Sequence, residues 1–239
     1  MRAGRARLGY GRGTTSVAAP FAAPSEKDRP EMFEFYYAPE TISLASHIAL
    51  LDAGVEPRLH RLDIAAAEHQ QGDYARLNPK LRVPTLVTPE GGALTETPAI
   101  LAYLAQRFPA AGLAPRDPFA FAKLQEFASY VASTLHVAHA HRMRGHRWVD
   151  PANAQAIAAM QAKVPESVGA AFAYIEETYQ LAPFVMGESY SFADPYLFTV
   201  SRWLKGDGVP AGAAPKVEAH RAMMLERPNV QAVLAAQAG

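Results

Sequence analysis

Three short stretches of this chain join residue types and spacings that have chemical consequences. The first is Asn78-Pro79-Lys80-Leu81-Arg82-Val83-Pro84-Thr85-Leu86. A proline that opens a strand cannot donate to the sheet ladder. Two solutions are open: an ordinary trans proline at a strand start, or a cis Val83–Pro84 bond in a tight turn that frees the Val83 backbone to pair elsewhere. The second stretch is Thr95-Glu96-Thr97-Pro98-Ala99-Ile100. Glu96 and Thr97 fall where a helix begins, and the free N–H groups and positive dipole end there form an anion site. Simple helix capping by Thr97 accounts for the same residues. The third is Ser191-Phe192-Ala193-Asp194, followed by Pro195-Tyr196-Leu197-Phe198. It has the spacing of a capping box with Asp in the place of Glu, a folding signal for a buried helix that carries no catalytic claim.

Other chemistry is bounded by composition. The 239 residues include no cysteine, which removes disulfides, Cys-ligated zinc and any protein thiol nucleophile. That is compatible with the cytoplasm. His139, His141 and His146 follow His136 at offsets of three, five and ten residues. These offsets do not share one helical face, no carboxylate is interleaved, and Arg142, Arg144 and Arg147 would repel a cation, so no metal is expected. Lys+Arg and Asp+Glu both total 23. A balanced chain has no global field to draw nucleic acid or anionic lipid, so neither is expected as a partner. No apolar run approaches the roughly 18 residues that span a bilayer.

These residues need elements to hold them. Phe33 to Tyr37 reads as a strand, and Ile42 to Ala53 as a helix closed by Gly54. Arg58 to Leu62 is a second strand, Ala65 to Leu77 a weaker helix, and Pro84 to Val87 a third strand. Gly91-Gly92 turns a hairpin into Ala93-Leu94-Thr95, and Pro98 to Phe108 is a helix. The order is β-α-β-α-β-β-α. After Pro109 the pattern is helical throughout: Phe119 to Gly145, Asn153 to Tyr179 with a kink or break at Pro165, Asp194 to Lys205, Pro215 to Glu226 and a last helix near Val230. Residues 1–31 hold Arg2, Arg5, Arg7 and Arg12 before any acid, with no apolar signal core. They read as a disordered extension or a misassigned start, with Met32 as the natural beginning.

In order and spacing, the three motifs resemble those of the cytosolic glutathione transferase family, over residues 32–236. Tyr36-Tyr37-Ala38-Pro39 and Ser43-Leu44-Ala45-Ser46-His47-Ile48-Ala49-Leu50 resemble the opening of the bacterial beta-class enzymes. The resemblance implies an α/β thioredoxin-like N-terminal domain over 32–110 and an all-α C-terminal substrate domain over 116–239. It implies a homodimer in the cytoplasm, with glutathione as co-substrate and a small apolar electrophile as partner. Pro84 would be the family's cis-proline, and Val83 would pair with the cysteinyl part of glutathione. Glu96 would help bind the glutamyl end, and Thr97 its carboxylate.

The chain departs from the beta class at two positions. Ile42 stands where those enzymes carry a cysteine, which disfavours disulfide exchange. Ala67 stands where a lysine is usual, which weakens the expected glycyl-carboxylate contact. The thiol must therefore come from glutathione, and the protein must favour its thiolate. Ser43, near the start of the first helix, is the first candidate donor, and Tyr36 the second. His136 matches a histidine facing the beta-class active site. Ser129, seven residues earlier on that helix face, would by the same resemblance be a further glutathione contact. Tyr130, Trp148, Tyr196 and Phe198 read as core aromatics, some available to the acceptor pocket. The expected function is conjugation or displacement by the glutathione thiolate. The alternative is a binding protein of the same fold with little catalysis.

Overall fold

The structure, a computed structural model, describes residues 32–238, so the expected N-terminal extension lies outside the described residues. β1 (Glu34–Tyr37) alternates half-buried and buried positions and turns Phe35 and Tyr37 into the core. α1 (Ser43–Asp52) packs Ala45, Ala49 and Leu50 into the same core and turns Leu44 and Ile48 to a second cluster with Phe198, Met224, Val230 and Val233. It stops where Gly54 takes φ +73°. The Gly54 N–H donates to the Leu51 carbonyl and the Val55 N–H to the Leu50 carbonyl, both at 2.9 Å. This is a Schellman cap, whose left-handed residue glycine adopts without steric cost.

β2 (Arg58–Arg61) pairs parallel to β1, and its mostly exposed, charged residues suit an edge. β3 (Thr85–Val87) and β4 (Ala93–Thr95) form the expected hairpin, and β3 pairs antiparallel to β1. The sheet order is β2-β1-β3-β4. α3 (Thr97–Arg107) packs against α1 and buries Ile100, Leu101 and Leu104. The thioredoxin-like arrangement expected from the sequence is present. The helix expected over Ala65 to Leu77 is not continuous. A short 3₁₀ turn, Glu68–Gln70, precedes α2 (Gly72–Leu77). Ala67 at φ +57° and Gly72 at φ +58° are left-handed, and a right-handed helix cannot run through them.

The regular elements of the second half are helices, with one isolated β-bridge between Phe184 and Gly187. α4 (Pro118–Tyr130) starts on Asp117, whose carboxylate accepts the Ala120 N–H at 2.8 Å. α5 (His136–Arg144) continues it, but residues 119–145 are not one regular helix. A π-helical turn, Val131–Leu135, is inserted and ends where His136 begins. Such turns re-aim the side chains that follow and are frequent at functional sites. α6 (Ala154–Thr178) runs unbroken through Pro165. The proline removes the donor to Gln161, but both residues are exposed, so water can serve that carbonyl.

α7 (Ala193–Ser201) is buried along its whole length and packs on α1. Its Asp194 carboxylate accepts the Ser191 N–H at 2.8 Å and the Val185 N–H at 2.9 Å, and lies 2.9 Å from His220 Nε2. Only the Asp194 half of the expected capping box forms, inside a buried network; the Ser191 hydroxyl accepts the Ala193 N–H at 3.3 Å instead of the Asp194 N–H. α8 (Pro215–Leu225) carries His220, and α9 (Pro228–Ala238) packs on α1. No helix among the described residues is long and apolar enough to cross a membrane.

Candidate active site

The turn into β3, the junction of β4 with α3, the start of α1 and the face of α5 enclose a cleft of about 250 Å³. The Val83–Pro84 bond on its wall is cis. The turn is clamped from behind. Buried Asn78 donates to the Arg82 carbonyl at 2.6 Å and to the Thr85 hydroxyl at 3.0 Å, and the Tyr74 phenol also donates to the Arg82 carbonyl. Among the described residues, no loop or side-chain hydrogen bond uses the Val83 N–H or C=O. An extended peptide could pair with both.

At the β4–α3 junction, Glu96 takes the N-cap position with φ +73° and ψ +118°. A non-glycine residue held there costs of order 1–3 kcal/mol, a strain that clusters at ligand sites. No side chain caps α3, so Thr97 does not serve as its cap. Thr97 is instead 3% exposed, and its hydroxyl is buried without a protein partner. The Glu96 carboxylate lies 2.6 Å from Lys80 Nζ. Uncapped N–H groups, an unpartnered hydroxyl and a carboxylate beside an ammonium can receive a group that carries both charges, such as an amino acid α-carbon.

His136 stands on the facing wall. Burial, reinforced by nearby His139, Arg147 and Arg82, lowers its pKa to about 4, so the ring is neutral at pH 7. Tyr196 of α7 also reaches the cleft, and burial and the Glu96 carboxylate raise its phenol pKa, keeping it protonated. A second chamber of about 160 Å³ shares Ile42, Arg82, Val83, His136 and Arg147 with the first. Its walls add apolar Ile64, Leu81, Met143 and Trp203, together with His69 and Arg144.

Residues 32–106 match the family model "Glutathione S-transferase, N-terminal domain", and residues 130–228 match "Glutathione S-transferase, C-terminal domain". The chain belongs to the glutathione S-transferase family. Glutathione S-transferase GstA of Escherichia coli O157:H7 is 31% identical over 209 residues, covering 85% of this chain and 98% of that protein. A solved glutathione transferase homolog from Sulfitobacter with bound glutathione is 43% identical, with a TM-score of 0.82. That match covers 86% of this chain and 98% of the other. A sphingomonad glutathione S-transferase complexed with glutathione is 29% identical with a TM-score of 0.74, covering 86% of this chain and 98% of its own.

Within this glutathione S-transferase fold, Val83, Pro84, Glu96, Thr97 and His136 are brought together around one cleft. Three other expected site residues are not. Ser43 is fully buried and lines neither chamber. Its hydroxyl donates to the Ala38 carbonyl at 2.9 Å and lies 2.7 Å from the Thr41 hydroxyl. Tyr36 sits on the sheet face opposite Phe35 and Tyr37. It stacks on His60 at 4.3 Å, and its phenol donates to Glu34 at 3.4 Å. Burial, with Glu34 beside it, raises its pKa. Ser129 is exposed on α4, away from both chambers. Ala67 also lines neither chamber.

Ile42, expected at the position of the beta-class cysteine, is 7% exposed and touches both chambers. Of the histidines, His139 Nδ1 pairs with Asp207 at 2.7 Å, and His141 meets the Trp148 ring edge-on at 4.5 Å. No group of three or more potential metal ligands gathers among the described residues. Sequence reasoning missed Lys80, Arg82, Arg144 and Arg147 as lining residues. Lys80 and Arg82 lie inside the proline motif, and that adjacency was the available signal.

Proposed function

We propose that the protein binds glutathione in the first chamber and transfers its thiolate to an electrophile held in the second. The observation that carries this reading is Thr97. A buried hydroxyl without a partner costs about 1–3 kcal/mol unless a ligand satisfies it. It lies beside the uncapped start of α3 and the Glu96 carboxylate. The glutamyl carboxylate of glutathione fits the helix start and the Thr97 hydroxyl, and its ammonium fits Glu96. The cysteinyl backbone pairs with Val83.

The chemistry needs the thiolate, because a free thiol with a pKa of ~8.5 is mostly protonated at pH 7. Arg82 and Arg147 line the cleft and favour the charged form of sulfur. Neutral His136 offers a ring N–H to the same atom. The sulfur lone pair then forms a C–S bond, and a leaving group departs with its electron pair, or the attacked double bond takes up a proton. Apolar Ile64, Leu81, Met143 and Trp203 suit an apolar acceptor body. The family resemblance supports a homodimer in the cytoplasm.

Calorimetric titration with glutathione tests the reading. Thr97→Val is expected to weaken binding about tenfold or more. A parent protein that takes up no glutathione would overturn the proposal. A second reading, a glutathione-binding protein with little catalysis, is favoured by one observation. Neither Ser43 nor Tyr36 lines either chamber, and the beta-class resemblance puts Ile42 where a thiol is expected. Glutathione binding without conjugation of chlorodinitrobenzene above the uncatalysed rate would favour it.

A further inference from the structure

The second chamber carries more positive charge than its neighbours balance. Its wall includes Arg82, Arg144 and Arg147. Glu40 is the acid on that wall, and Arg202 engages it at 2.7 Å. In the first chamber, Glu96 is engaged by Lys80 at 2.6 Å. Among the described residues, no carboxylate lies within ion-pair distance of Arg82, Arg144 or Arg147, whereas Arg142, on α5 with Arg144, pairs with buried Asp207 at 3.3 Å. Burial, and then Arg82 and Arg144 beside it, lower the Arg147 pKa, as expected for guanidiniums that repel one another. His69 is likewise held below its ordinary value by burial, Arg144 and Arg147.

Glutathione does not exhaust this charge. Its glutamyl end brings one carboxylate and one ammonium and is served by Thr97, the α3 start and Glu96. The glycyl carboxylate and the thiolate bring two negative charges toward three unpaired guanidiniums. One positive charge remains, and Arg144 is the natural holder, because it lines the second chamber and not the first. A guanidinium fork matches a carboxylate in two parallel hydrogen bonds. Beside it, Met143, Ile64 and Trp203 form an apolar wall. The Trp203 ring is fixed by His139, stacked at 4.0 Å and itself anchored by Asp207.

We infer that the second chamber selects an acceptor with a flat apolar body and a carboxylate, the carboxylate being read by Arg144, with the field of neighbouring Arg147 adding to it. This rests on the glutathione-binding reading above, and it replaces a purely apolar acceptor with an anionic one.

The test uses a carboxylate and its neutral isostere. Glutathione-saturated protein is titrated calorimetrically with nitrobenzoate and with methyl nitrobenzoate. Nitrobenzoate is expected to bind about tenfold tighter, with the preference shrinking as salt is raised. The ratio of the two dissociation constants should fall several-fold in Arg144→Gln and approach one in the double variant Arg144→Gln with Arg147→Gln. Equal binding of acid and ester, binding of neither, or a preference that survives the double variant overturns the inference. A parallel titration with the glycyl ethyl ester of glutathione separates the two sources of carboxylate. If the ester of glutathione binds far more weakly while nitrobenzoate shows no preference, the arginines serve the glycyl end alone and the inference fails. Absence of glutathione binding would end the underlying reading as well, whereas glutathione binding without carboxylate preference ends only this one.

Discussion

A hydroxyl can hold a backbone turn or serve a ligand, and at Ser43 the geometry assigns it to the turn. Its oxygen bridges the Ala38 carbonyl and the Thr41 hydroxyl, with the Ala38 N–H at 3.3 Å on the other side. Ser43→Ala is expected to lower the unfolding free energy by about 1–2 kcal/mol, because buried Ala38 groups lose a partner. Urea denaturation checks this. A variant as stable as the parent but devoid of turnover would return the hydroxyl to the chemistry. The sequence made Val83, Pro84, Glu96 and Thr97 legible because their motif positions coincide with backbone features that any occupant of the cleft must meet. It could not separate Ser43 from the site, since a helix-start serine looks the same whether it faces a ligand or a carbonyl. Tyr36 failed for a related reason: alternation along a strand tells which residues share a face, not which face meets the cleft. Arg144 and Arg147 were legible as charge, but their lack of counter-ions depends on residues far away in sequence.

At the level of elements, the site is held by the backs of turns more than by regular structure. Asn78 lies at the edge of the first chamber, and its amide is spent on the turn. It fixes the Arg82–Thr85 turn from behind through two donated hydrogen bonds. Asn78→Ala should cost about 1–3 kcal/mol of stability and also weaken glutathione binding, since the Val83 backbone would no longer be pre-set. Calorimetry beside urea denaturation separates the two effects, and unaltered affinity in the folded variant would show that the turn sets itself. The sheet order and hairpin were readable because alternation and Gly91-Gly92 act locally. The broken helix before α2 was not, because left-handed Ala67 is set by its surroundings and not by its own preference. The π turn ahead of His136 likewise leaves no compositional mark.

Across the whole molecule, α1 is the strut between the halves, in contact with α3, α7 and α9. Its His47 is 2% exposed and meets Gln237 of α9 at 3.1 Å. Burial lowers its pKa from 6.5 to about 4. Between those values the unfolded chain binds a proton that the folded one refuses, so stability is full above pH 6.5 and falls as the pH drops toward 4. The slope is about 1.4 kcal/mol per pH unit for one such group. His136, lowered for the same reason, acts in the same window. Urea midpoints measured across pH 4–7 should show this decline, and His47→Gln should flatten it by about one proton. An unchanged slope would mean that the ring is protonated in the native state. The strained backbone at Glu96 has its own consequence at this scale. A domain is stable by only about 5–15 kcal/mol, so a residue held at φ +73° uses an appreciable share of that margin. Selection for heat tolerance alone would favour a glycine at that position, and the hardier protein would have lost the carboxylate proposed to hold the glutamyl ammonium.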